Sequence, residues 1–111
     1  MASYLKSAAY TRTFKMISST DHFSLKTGIT PTVNLSKAGA AFAASTNAAA
    51  EIGSTGWYKI VLTTTETNTA GDLTYYCTGT GADDTDFVDQ IIDPTVAEFG
   101  ANLVNIAGSA V

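Results

Sequence analysis

Charge is scarce in this chain: Asp, Glu, Lys and Arg make up 14% of its 111 residues, where an ordinary soluble domain carries roughly 25%. Few surface groups would shed water on contact with a neighbour, so the composition suits a subunit packed into a larger array. Positive charge is scarcer still. The six cations Lys6, Arg12, Lys15, Lys26, Lys37 and Lys59 are scattered and the net charge is −4, which argues against the basic patch that nucleic-acid binding requires. Cys77 stands alone, which excludes an intrachain disulfide and any CxxC metal or redox motif. No apolar run could span a bilayer, and "MASYLKSAAYTRTF" lacks the apolar stretch of a signal peptide. The expectation is a chain made and used without export or a membrane.

What the chain does have is alternation with period two. "TRTFKMIS" puts Arg12, Phe14 and Met16 on one side of a strand and Thr11, Thr13 and Lys15 on the other. "PTVNLSKAGAAFAA" predicts a hairpin in which Val33 and Leu35 face the core, "KAGA" turns and Phe42 returns. A short strand is expected around Glu51–Ile52. "GWYKIVLT" sets Tyr58, Ile60 and Leu62 against Trp57, Lys59, Val61 and Thr63; "LTYYCTGT" sets Leu73, Tyr75 and Cys77 against Thr74, Tyr76 and Thr78. "TDFVDQIID" has apolar residues in both phases, so its inward side is open. "STDHFSLKTGITP" is a loop, punctuated by Gly28 and Pro31.

This spacing predicts an all-β fold: a single β-sandwich of about six to seven short strands at intervals of roughly ten residues. Residues 1–10 are expected as an N-terminal arm, residues 11–92 as the sandwich, and residues 93–111 as a docking helix and tail. In that last segment Val96, Phe99, Leu103 and Ile106 form an amphipathic stripe, Asp93 is an N-cap and Pro94 the first helical residue. The expected core is Phe14, Val33, Leu35, Phe42, Tyr58, Ile60, Leu62, Leu73 and Tyr75. With 45% hydrophobic content partly supplied by alanine, that core is one modest unit.

The polar crossing "TTETNTAGD" joins the two best strands. Thr63 with Glu66 three residues on has the spacing of a capping box, and Gly71 releases the chain into the next strand. "GDLTYYC" resembles the tyrosine corner of immunoglobulin domains, which implies that the Tyr75 hydroxyl bonds back to the backbone between Thr65 and Gly71. Cys77 has no partner cysteine and Trp57 lies on another strand, so the likeness is to the Ig-like sandwich rather than to antibody domains. On this view the crossing is a connection, not a pocket.

Residues 20 to about 92 resemble the small Ig-like modules of tailed-bacteriophage virion proteins. The likeness rests on "TGITPTVNLSK", on "GWYKIVLT" followed by "ETNTAG", and on "GADDTDFVDQ". It implies an Ig-like fold, no catalytic residues, no cofactor and a place in the virion after synthesis in the host cytoplasm. One module with one docking helix fits a head decoration or cement protein, with other copies of the chain and virion proteins such as the major capsid protein as partners. A trimer is the favoured oligomer, by analogy with three-fold positions on icosahedral heads. The alternative is a tail or baseplate adhesin that binds host surface carbohydrate.

Individual residues invite sharper chemistry. Asp21, His22 and Ser24 have the side chains of a triad but sit in one loop with no nucleophile elbow, so a capped turn is expected and an enzyme is not. Asp83, Asp84, Asp86 and Asp89 could hold a hard cation, yet the EF-hand pattern is missing and a solvated turn is the expectation, with no metal. The sequon at Asn34 falls in a predicted strand. Trp57 and Tyr76 point away from the predicted core and could stack on a sugar, or be buried by the arm, the helix or a neighbouring subunit. The expected interface is Tyr4, Leu5 and Tyr10 on the arm, Trp57, Val61 and Tyr76 on the sheets, and Val96, Phe99, Leu103 and Ile106 on the helix.

Overall fold

A computed structural model describes residues 2–94. The helix expected from Asp93 onward, with Val96, Phe99, Leu103 and Ile106, lies outside the described residues, Asp93 and Pro94 apart. The described residues form eight strands: β1 (Ser3–Leu5), β2 (Tyr10–Lys15), β3 (Thr32–Lys37), β4 (Ala43–Ala44), β5 (Ala50–Glu51), β6 (Trp57–Leu62), β7 (Gly71–Thr78) and β8 (Thr85–Ile92). They form a five-stranded sheet in the order β1-β8-β7-β3-β4 and a three-stranded sheet in the order β2-β6-β5. Among the described residues only β1 and β8 pair in parallel. The segment expected as an arm is therefore laid down along β8, with the Lys6 amide donating to the Ile92 carbonyl at 2.8 Å.

Alternation explains where the core lies. Tyr58, Ile60 and Leu62 of β6, with Phe14 of β2, face Val33, Leu35, Leu73, Tyr75, Cys77 and Ile91 of the other sheet, and all are buried. Removing such side chains from water supplies most of the stabilisation, on the order of 25 cal/mol per Å² of apolar surface. β8, whose inward side the sequence leaves open, turns Asp89 and Ile91 inward and exposes Asp86 and Gln90.

Phe42 departs from the expected core. It is 52% exposed, because β3 pairs Leu35 with Ala43 and Asn34 with Ala44, leaving Phe42 one residue out of the inward phase. Its ring lies on the outer face, 6.0 Å from that of Tyr76. The turn before it is as predicted: Ala38 and Gly39 have φ of 51° and 83°, and the Ala40 amide donates to the Lys37 carbonyl at 3.0 Å. Two positive φ values match the twist of a tight hairpin.

The long loop between β2 and β3 folds back on the sandwich. Ile17 pairs with Leu25, Ser18 with Ala82, and the Met16 amide donates to the Gly56 carbonyl at 3.2 Å. At Gly56 φ is +81° and an added Cβ would lie 2.5 Å from that of Leu25. Only glycine fits there, which brings the loop against the β5–β6 turn.

Candidate functional surfaces

The crossing at residues 63–70 spends its polar groups on the fold. The Thr63 amide donates to Glu66 Oε1 at 2.8 Å and the Glu66 amide to Thr63 Oγ1 at 3.2 Å, the reciprocal pair of a capping box. Glu66 Oε2 also accepts from the Thr46 amide at 2.7 Å. Thr67 Oγ1 donates to the Ala8 carbonyl at 2.7 Å, and Lys37 Nζ donates to the Thr65 carbonyl and to Asn68 Oδ1 at 3.2 and 3.0 Å. A hollow of about 130 Å³ beside it is lined by Leu35, Ala43, Thr46 and Glu66 among others, but its two charged groups, Lys37 and Glu66, are already bonded.

The expected corner bond is not made. The Tyr75 hydroxyl is buried without a hydrogen-bond partner among the described residues. Tyr75 instead stacks on Phe87 with centroids 4.3 Å apart, which aims its hydroxyl toward a buried ion pair rather than toward the crossing. Burial, then the charge of Asp89, push its pKa up.

That ion pair joins the two sheets. Asp89 is fully buried on β8; its Oδ2 accepts from Arg12 Nε at 2.8 Å and its Oδ1 from the Ala2 amide at 3.0 Å. The Arg12 guanidinium lies 4.5 Å from the Phe87 ring centroid, a favourable cation–π position. Tyr4 stacks on Tyr10 at 4.0 Å, and the Tyr10 hydroxyl bonds both the amide and the carbonyl of Leu5. Two of the three expected arm contacts are thus half-buried against their own sandwich, and Leu5 is exposed. Sequence reasoning missed this cluster. The available signal was a cation at Arg12 in the inward phase of β2, which requires a buried partner.

The triad residues separate into two pairs. Asp21 Oδ1 accepts from the amides of Phe23 and Ser24 at 3.0 and 2.9 Å, and Asp21 Oδ2 from the Ser24 hydroxyl. These bonds, the Ser24 hydroxyl foremost, lower its pKa to about 2. His22 turns away to Asp83, Nδ1 to Oδ2 2.7 Å, and that bond raises its pKa. Phe23 between them is 84% exposed. The four aspartates go separate ways: Asp83 to His22, Asp84 to the Tyr76 hydroxyl, Asp89 to Arg12, with Asp86 on the surface. Among the described residues no group of three or more His, Cys, Asp or Glu side chains could hold a metal. Burial pushes the Cys77 thiol up to about 12, far from a reactive thiolate.

Besides Leu5, Phe23, Leu25 and Ile52 on the N-terminal strand and the loops, the large apolar groups left exposed lie on the two outer sheet faces. On the three-stranded sheet Lys15 lies opposite Trp57, Thr13 opposite Lys59 and Thr11 opposite Val61, and all six are exposed. Trp57 is 42% and Val61 43% accessible. On the five-stranded sheet Tyr76, 37% accessible, lies between Asn34 and Asp86, with Phe42 against its ring. No family model matches the chain, and no curated protein or solved structure does either. Its surfaces therefore carry the functional argument: an all-β, two-sheet sandwich with large apolar side chains on both outer faces.

Proposed function

We propose that this chain is a non-enzymatic structural component of a tailed-phage virion, an Ig-like module that acts as a capsid decoration or cement protein through contacts between subunits. The observation that carries the reading is the distribution of polar and apolar groups. Buried Ser36, Glu66, Thr67 and Asp89 are bonded within the fold, while Trp57, Val61, Phe42 and Tyr76 face outward. Solvent-facing aromatics on a weakly charged surface suit recurrent protein contacts.

Strand order supports the Ig-like assignment. With β2, β6 and β5 as strands B, E and D, and β8, β7, β3 and β4 as G, F, C and C′, the two sheets follow the variable-type arrangement. β1 then takes the place of a first strand switched onto G, parallel to it. The adhesin reading draws on one feature, the Tyr76–Phe42 pair flanked by Asn34 and Asp84, since an aromatic face beside amide and carboxylate groups suits a sugar ring.

The test is to image particles assembled without this protein. Loss of regularly placed surface knobs from the head is the expected result. A normal head with a defective tail, together with glycan binding by the isolated protein, would move the assignment to the adhesin. Particles unchanged in both would overturn the virion reading.

A further inference from the structure

The two outer faces differ in sign. The face of the three-stranded sheet carries Lys15 and Lys59, exposed and without hydrogen-bond or ion-pair partners among the described residues, and no carboxylate lies in its outward rows. Glu51, on the same sheet, is turned aside to the amides of Gly28 and Gly56 at 3.0 Å each. The face of the five-stranded sheet carries Asp72 and Asp86, exposed on neighbouring strands, with Asp84 at its margin. Among the described residues no cation lies in the outward rows of that face: Lys6 is paired with Asp93 at 3.4 Å, Lys37 is bonded to the crossing, and Lys26 reaches the β7–β8 turn at Gly81, beyond the strands. Each face also presents large apolar groups, Trp57 and Val61 on one, Tyr76 and Phe42 on the other.

We propose that copies of this chain associate face to back, the lysine-and-tryptophan face of one copy seating on the aspartate-and-tyrosine face of the next. The proposal deepens the subunit-contact reading above and rests on it. Charge chooses the occupant. Two lysine faces brought together would repel, as would two aspartate faces, so a two-fold contact of either face with itself is disfavoured while the mixed contact is attractive. Such a contact is heterologous, and copies joined by it close into a ring or continue as a filament.

Its size decides its strength. With strands about 4.8 Å apart and about 3.4 Å per residue, the six residues each of β2 and β6 and the two of β5 outline roughly 230 Å², well short of the roughly 800 Å² per partner of a standard interface. The contact is therefore weak in dilute solution and fills when copies are held close together, as on a particle surface.

The test is sedimentation of the purified full-length chain as a function of concentration and salt, with two charge-reversed variants. Lys15→Glu with Lys59→Glu makes both faces acidic; Asp72→Lys with Asp86→Lys makes both basic. All four sites are exposed, and circular dichroism melts check that folding is kept. The native chain should self-associate, and at least about tenfold more weakly on going from low to about 0.5 M salt. Each variant alone should stay monomeric, and an equimolar mixture should associate again, because each basic face then meets an acidic one. A native chain monomeric throughout, variants that associate as the native chain does, or a mixture that fails to recover would each overturn face-to-back contact. If the native chain stays monomeric while particles made without it lose their knobs, this inference falls and the virion assignment stands.

Discussion

Asp89 is a buried carboxylate flanked by Phe87 and Ile91 in the inward row of β8, and its geometry explains why the fold tolerates it. Arg12 and the Ala2 amide occupy its two oxygens, so the charge is compensated where water cannot reach. Such pairs contribute little net stability, but breaking one is costly because a charge is left buried. Arg12→Leu is expected to lose about 3 kcal/mol in denaturant melts, and adding Asp89→Leu should return most of it. A loss below about 1 kcal/mol for the single variant would mean that water reaches Asp89. Tyr75 makes the opposite case. Its hydroxyl lies near enough to Asp89 for that carboxylate to raise its pKa, yet makes no hydrogen bond of ordinary geometry among the described residues, so Tyr75→Phe should be neutral or gain up to about 1 kcal/mol. A loss of more than about 1 kcal/mol would show instead that the hydroxyl donates to Asp89. The two positions also mark a limit of reading along the chain. Arg12 and Asp89 stand 77 residues apart, and no local pattern ties a cation in one strand to a carboxylate in another.

Short-range patterns fared better. The capping box of Thr63 and Glu66 was legible because both residues and both bonds lie within one turn. Glu66→Ala strips the acceptor from two backbone amides, Thr63 and Thr46, and should cost about 2 kcal/mol, against about 0.5 kcal/mol or less for Thr65→Ala beside it. β2, β3, β6 and β7 were legible because six or more residues allow alternation to repeat. β1, β4 and β5, of three, two and two residues, are too short to show a period, although the short strand expected around Glu51–Ile52 is found one residue earlier, at Ala50–Glu51. Phe42 misled for a related reason: hydrophobicity marks it as core, but the hairpin pairing sets its phase.

The loop ahead of β3 has its own pH dependence. Asp21 is depressed from 3.8 to about 2, so its contribution is present above pH 3.8 and lost as pH falls toward 2. His22 is raised above 6.5, so the His22–Asp83 tie is fully present below 6.5 and lost as pH rises through the raised value. The protection of the Phe23 and Ser24 amides, taken against their intrinsic exchange rates at each pH, should therefore be greatest between these limits and fall on either side. A profile that is flat across both would show that neither bond holds the loop.

In the whole molecule, internal polar groups hold two sheets together and the outer faces are left for contact. The polar crossing that first draws the eye in the sequence belongs to the first category, since Glu66, Thr67 and Asn68 are all engaged by their own chain. The most direct test is cosedimentation of the purified protein with particles assembled without it, comparing Trp57→Glu and Tyr76→Glu on the faces with Thr65→Glu on the crossing. All three sites are exposed, so folding should survive. The two face variants should lose attachment at least about tenfold while the crossing variant binds as the native chain does. Full attachment by both face variants, with loss confined to Thr65→Glu, would contradict the account and return the functional site to the crossing.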